Sequence, residues 1–165
     1  TVVDGTLYFA SEMKALLPIL PEGALVLRSF GKAYGLAGLR LGFAVGETRF
    51  TDALQAMLGP WAVAGPALHV GALALGDADW LSNAGEARTA DSRRLDVLLA
   101  PFGRVVGGTV LYRLLETPQA PSLFERLGRA GIYVRRFQRD PSRLRFGLPG
   151  NEPAWKRLAQ ALTLV

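Results

Sequence analysis

Two short apolar runs, Ala24-Leu-Val-Leu-Arg28 and Leu39 to Val45, bracket the segment Ser29-Phe-Gly-Lys-Ala-Tyr-Gly-Leu-Ala-Gly-Leu-Arg-Leu-Gly42. Runs of that length and composition read as buried strands, so the segment between them is a glycine-dense connection in a folded core. It carries a single lysine, Lys32, with Ser29 three residues before it and Arg40 eight after it. Lysine is rarely buried, and a desolvated ammonium gives up its proton readily. A buried amine beside glycines is therefore expected here, suited to Schiff-base chemistry with a carbonyl.

The neighbours of Lys32 suggest what carries that carbonyl. The Ser29 hydroxyl, the backbone amides around Gly31 and the Arg40 guanidinium form a set of donors for a phosphate dianion. A phosphorylated aldehyde satisfies both ends, and pyridoxal 5'-phosphate is the cofactor that fits. A nucleotide-binding P-loop does not fit, because that motif needs Ser or Thr after its lysine and Ala33 stands there. The plain competing reading is a solvent-facing lysine in a glycine turn.

The serine, lysine and arginine at this spacing resemble the lysine signature of fold-type-I pyridoxal-phosphate enzymes of the class I/II aminotransferase family. The resemblance implies that Lys32 is the catalytic lysine forming the internal aldimine, and that Ser29 and Arg40 bind the cofactor phosphate. It further implies that Asp4, closing the apolar Thr1-Val-Val run, pairs with the pyridine nitrogen; the competing reading is an Asp4-Gly5 turn. Leu144-Arg145-Phe-Gly-Leu-Pro-Gly150 resembles the strand that supplies the arginine for the substrate α-carboxylate. Gly131-Ile-Tyr-Val-Arg135 resembles the segment that supplies an arginine near a substrate phosphate. Arg145 and Arg135 are the substrate-binding candidates, with Arg136 on the opposite face by strand alternation.

Within that family the lysine segment, Phe124-Glu-Arg-Leu-Gly-Arg-Ala-Gly-Ile132 and Arg145-Phe-Gly-Leu-Pro-Gly150 look most like the threonine-phosphate decarboxylases of cobalamin biosynthesis. The implied reaction is decarboxylation of O-phospho-L-threonine to aminopropanol phosphate, with a histidinol-phosphate-type aminotransferase as the alternative. The implied fold is α/β: residues 1–65 the carboxyl-terminal part of the large cofactor domain, 66–100 an interdomain helical region, and 101–165 a small α/β domain. Such enzymes are about twice as long as this chain, so a partial chain or non-catalytic fragment is a further reading. Asp4 to Leu16 also resembles a stretch of glutamine amidotransferases of the asparagine synthetase kind, without that family's cysteine nucleophile. There the residues suggest a strand from Leu7 to Phe9 and a helix capped by Ser11.

Composition removes several other functions. The chain has no cysteine and one histidine, His69, so thiolate zinc sites, histidine metal clusters and a Ser-His triad are not expected. No metal is predicted. From Ala53 to Gly76 there is no Asp, Glu, Lys or Arg, but Pro60 and Pro66 break the stretch, and two helices joined by a buried loop are expected rather than a membrane span. Trp61 in that loop reads as a packing anchor. The net charge of +5 comes mainly from arginine, but no aromatic platform accompanies the arginines, so a small anionic ligand or a solvated face is favoured over nucleic acid. No signal segment is read, and a cytoplasmic homodimer acting on a small phosphorylated amino acid is the expectation.

Helical spacing is read from Arg49 to Met57 and from Asp79 to Leu99, the latter burying Trp80, Leu81, Ala84, Ala87, Leu95, Leu98 and Leu99. Arg104 to Glu116 reads as a strand pair or a bent strand around Gly107-Gly108, a helix covers Pro121 to Ala130, and strands cover Ile132 to Phe137 and Arg143 to Phe146. Asn151 caps a last helix.

Overall fold

The structure, a computed structural model, describes residues 2–4 and 19–163. The expected strand from Leu7 to Phe9 and the Ser11-capped helix lie outside the described residues. The chain is α/β and divides into two compact units, Thr1–Glu86 and Ala87–Val165.

In the first unit, strands β1 (Val2–Asp4), β2 (Leu25–Ser29) and β3 (Gly42–Gly46) form a mixed sheet in the order β1-β2-β3. β1 runs parallel to β2 with Asp4 beside Leu27, and β3 returns antiparallel with Gly42 beside Ser29. The Asp4 and Ser29 ends of the two parallel strands are therefore their carboxyl ends, on the same side of the sheet, where α/β sheets bind ligands. The register needs Gly42: a Cβ there would stand 2.6 Å from the Arg28 carbonyl oxygen. Val26 and Phe30 are buried.

Helices α1 (Thr48–Leu58) and α2 (Gly65–Gly76) follow, the first close to its expected bounds. Glu47, at the α1 N-cap, accepts a 2.6 Å hydrogen bond from the Gly23 N–H, tying the entry of α1 to the turn before β2. That bond, helped by Arg49, holds the Glu47 carboxyl below its usual range. The loop between the helices is not buried as expected, and Trp61, predicted as a packing anchor, is 92% exposed. Helix α2 is apolar on all sides, yet only Ala67 and Gly71 are buried. Apolar character marks a residue for burial without saying which surface covers it.

Helix α3 (Ala78–Leu99) has the expected span, with a correction to its stripe. Ser92, Leu95 and Leu99 are buried, Leu98 is partly covered, and Trp80 and Ala87 are exposed. Spacing alone cannot tell that the helix finds a continuous apolar partner only along its carboxyl-terminal half.

The second unit is an antiparallel sheet of four strands in the order β4-β5-β7-β6, with β4 (Arg104–Thr109), β5 (Tyr112–Glu116), β6 (Arg135–Phe137) and β7 (Asp140–Gly147). Helices α4 (Ala120–Arg129) and α5 (Glu152–Thr163) complete it. Period-two alternation assigns the faces. Leu115, Leu144 and Phe146 enter one core with Leu95, Leu99, Leu123, Leu127, Trp155, Leu158 and Leu162, each worth about 1.5–3 kcal/mol of apolar burial. Arg113, on the core-facing side, donates two 2.6 Å hydrogen bonds to Asp96 and so ties β5 to α3. Asn151 accepts from the Ala154 N–H at 2.9 Å, as expected of the α5 cap.

The hairpin differs from expectation. The turn is made by Val110 and Leu111, whereas Gly107 and Gly108 lie inside β4 at a bulge between Val105 and Gly107. Gly108 has φ 148 and backs directly on the Tyr112 carbonyl, a place no Cβ could occupy. The glycines serve a bulge, while Thr109 Oγ1 stabilises the turn by accepting from the Leu111 N–H at 3.2 Å.

On the opposite face Glu116 accepts from Arg104 Nη2 at 2.8 Å and from Arg143 Nε and Nη2 at 2.9 and 2.8 Å. These bonds, Arg104 first, lower the Glu116 pKa below its ordinary 4.5. A carboxyl depressed in the folded state contributes stability that is full above the unfolded pKa and is lost as pH falls through the folded one. Thermal melts between about pH 6 and 3 should therefore fall less steeply for Glu116→Gln than for the parent protein. Equal slopes would mean that the triad contributes no pH-dependent stability.

Candidate active site

The connection from β2 to β3 is held by its apolar residues, and its polar residues are left outside. Phe30, Ala33 and Tyr34 are buried; the Phe30 and Tyr34 rings pack 4.9 Å apart, and Tyr34 stacks on Trp80 at 6.3 Å. The Phe30 N–H donates to the Leu41 carbonyl and the Leu36 N–H to the Phe30 carbonyl, closing the loop at both ends. Between them the Gly35 N–H donates to the Lys32 carbonyl at 3.0 Å, in a turn that needs the φ of 69 at Gly35.

Lys32, at the tip of this turn, is exposed. The buried amine expected from the sequence is not found, because Phe30 and Tyr34 turn inward and the lysine between them points out. Ser29 Oγ accepts from the Gly31 N–H at 3.0 Å, which orients the hydroxyl and leaves its proton to donate. Gly31 is closely packed: a Cβ there would meet Ala37 Cα and Ser29 Oγ at 3.3 Å, so these neighbours would have to shift to admit a side chain.

Arg40 is the one non-glycine with positive φ among the described residues, at φ 53 and ψ 34. The left-handed region is unfavourable for such a residue by about 1–2 kcal/mol. It follows a short 3-10 turn (Ala37–Leu39), and its Nη1 donates to the Ala37 carbonyl at 3.0 Å. That contact uses one of five guanidinium N–H groups, and the side chain is exposed. One loop thus carries Ser29, Lys32 and Arg40. Asp4 is placed by its backbone alone, at the same carboxyl end of the parallel strands. A hydroxyl, a guanidinium, an amine and a glycine crowded against Ala37 suit a phosphorylated aldehyde by donor chemistry.

In the Ala87–Val165 unit, β6 and β7 set Arg135 directly opposite Arg145. Side chains opposed in this way share a face, and like charges there repel. Arg145 lies over the Tyr112 ring at 4.4 Å and Arg135 over the Phe137 ring at 5.5 Å. Arg136 lies over Phe124 of α4, in line with the expected opposite orientation. Neither Arg135 nor Arg145 makes an ion pair among the described residues. Sequence reasoning missed Tyr112 and the strained backbone of Arg40. The Tyr112-x-Leu114-x-Glu116 alternation was available as a signal for the first; nothing local announces the second.

Among the described residues no group of three His, Asp or Glu could hold a metal, and no helix is long and apolar enough to cross a membrane.

The fold and this loop define an α/β chain built around one lysine and a set of anion donors. The family model of aminotransferase class I and II matches residues 4–162, and the chain belongs to that family, whose cofactor is pyridoxal phosphate. It is 47% identical over 141 residues to threonine-phosphate decarboxylase of Pseudomonas aeruginosa PAO1, covering 85% of this chain and 42% of that protein. It is 44% identical over 140 residues to threonine-phosphate decarboxylase of a Sinorhizobium species, covering 84% and 41%. Histidinol-phosphate aminotransferase of Sinorhizobium meliloti, solved in complex with pyridoxal-5'-phosphate, shares the fold with a TM-score of 0.83 at 22% identity, over 98% of this chain and 47% of that one. The chain spans about two fifths of the length of the decarboxylases it matches.

Proposed function

We propose that this chain is the lysine-bearing part of a threonine-phosphate decarboxylase, a cytoplasmic homodimer of cobalamin biosynthesis that converts O-phospho-L-threonine to aminopropanol phosphate and carbon dioxide. The observation that carries the reading is the single loop holding Ser29, Lys32 and the left-handed Arg40. The identity of 44–47% to two decarboxylases favours decarboxylation over amino transfer.

Ser29 and Arg40 would bind the cofactor phosphate, and Asp4 would hold a proton on its ring nitrogen. When bound, the cofactor supplies an electron sink for the pair released at the substrate's α carbon. Lys32 would return a proton to that carbon as the carboxylate leaves as carbon dioxide. Phosphothreonine carries two anions, and the paired guanidiniums of Arg145 and Arg135 offer a fork to each, carboxylate to Arg145 and phosphate to Arg135.

The protein incubated with pyridoxal phosphate and O-phospho-L-threonine should release carbon dioxide and aminopropanol phosphate in equal amounts, without any 2-oxo acid. Amino transfer to a 2-oxo acid with no carbon dioxide would replace this reading with a histidinol-phosphate-type aminotransferase. Neither product from folded, cofactor-treated protein would mean that the chain is a non-catalytic fragment.

A further inference from the structure

We infer that Tyr112 is a positioning residue: its ring, reclining over the bare backbone of Gly147, fixes the guanidinium of Arg145 in the orientation that receives the substrate carboxylate. The inference rests on the role proposed above for Arg145.

β5 and β7 pair Tyr112 with Gly147 and Leu114 with Arg145, so Tyr112 and Arg145 are diagonal neighbours on the sheet face away from the core. A Cβ placed on Gly147 would lie 3.9 Å from Tyr112 Cε1 and 4.0 Å from Cδ1. The tyrosine ring therefore lies in van der Waals reach of the Gly147 backbone, on the same face as Arg145. From there its face meets the Arg145 guanidinium at 4.4 Å.

Charge makes this contact matter. Arg135, directly opposite, repels Arg145. Glu116, the acidic residue of β5 on this face, is occupied by Arg104 and Arg143. No carboxylate among the described residues thus neutralises or aims Arg145. The electron-rich ring attracts the cation without consuming its N–H donors, so the fork keeps its hydrogen-bonding capacity while losing rotamer freedom before substrate arrives. A carboxylate partner would have competed with the ligand.

The ring face is what the inference requires, and the hydroxyl is dispensable. In cofactor-loaded protein, Tyr112→Leu should weaken phosphothreonine binding and raise KM about tenfold with kcat within about twofold, while Tyr112→Phe stays near the parent protein. Arg145→Ala should weaken binding at least as much, and adding Tyr112→Leu to it should cost nothing more, the mark of two residues acting as one. If Arg145→Ala leaves affinity unchanged, the carboxylate role of Arg145 is what fails. If Arg145→Ala weakens binding and Tyr112→Leu does not, or if their effects add, the positioning role is overturned. The order parameter of the Arg145 Nε–H, measured by nuclear magnetic resonance without substrate, reads positioning independently of turnover: Phe should preserve it and Leu lower it. An unchanged value in Tyr112→Leu also overturns the inference.

Discussion

Replacing Lys32 by alanine is expected to leave the first unit folded and to remove both covalent retention of pyridoxal phosphate and decarboxylation. The loop is held by Phe30, Ala33 and Tyr34, all buried, and by backbone hydrogen bonds that do not involve the Lys32 side chain. The exposed amine contributes nothing to that packing, so its loss should shift the melting temperature little. Its chemical loss should be large. The role proposed for Lys32, capturing a carbonyl and moving a proton, has no substitute in alanine, and the rate should fall by about 10³-fold or more. Borohydride treatment of protein mixed with cofactor, followed by peptide mapping, gives the check. The parent protein should carry reduced cofactor on Lys32, and the alanine variant none. Label on another lysine, or equal activity in both proteins, would remove Lys32 from the centre of the site.

That prediction draws on both sequence and structure, and the two contribute differently. The strands around the lysine were legible because Leu25 to Ser29 and Gly42 to Gly46 are short apolar runs separated by glycines, a local signal. The α5 cap was legible for the same reason: Asn151 bonds an amide three residues away. The direction of Lys32 was not, because it depends on Phe30 and Tyr34 claiming the interior, and Tyr34 does so partly through Trp80, far along the chain. The hairpin shows the opposite failure. Gly107-Gly108 has the composition of a turn but forms a bulge, and apolar Val110 and Leu111 turn the chain instead. The direct opposition of Arg135 and Arg145 follows from a register that no periodicity supplies.

Arg40 allows strain and function to be separated. Glycine adopts φ 53 freely, so Arg40→Gly removes the backbone cost together with the guanidinium, whereas Arg40→Ala removes the guanidinium and keeps the cost. Arg40→Gly should therefore be more stable than Arg40→Ala by about 1 kcal/mol, read from chemical denaturation. Cofactor affinity should follow charge rather than strain. A lost charge-assisted contact of about 1.5–3 kcal/mol predicts a weakening of roughly 10- to 150-fold in both variants, measured by absorbance titration with pyridoxal phosphate. Arg40→Lys should fall between, keeping a charge without a planar fork. A glycine variant that binds cofactor as the parent does would sink the phosphate assignment and leave Arg40 as a loop-closing residue bonded to Ala37. A glycine variant that is more stable yet weak in cofactor would show why the chain tolerates a left-handed arginine: the conformation that opposes folding aims the guanidinium at the anion.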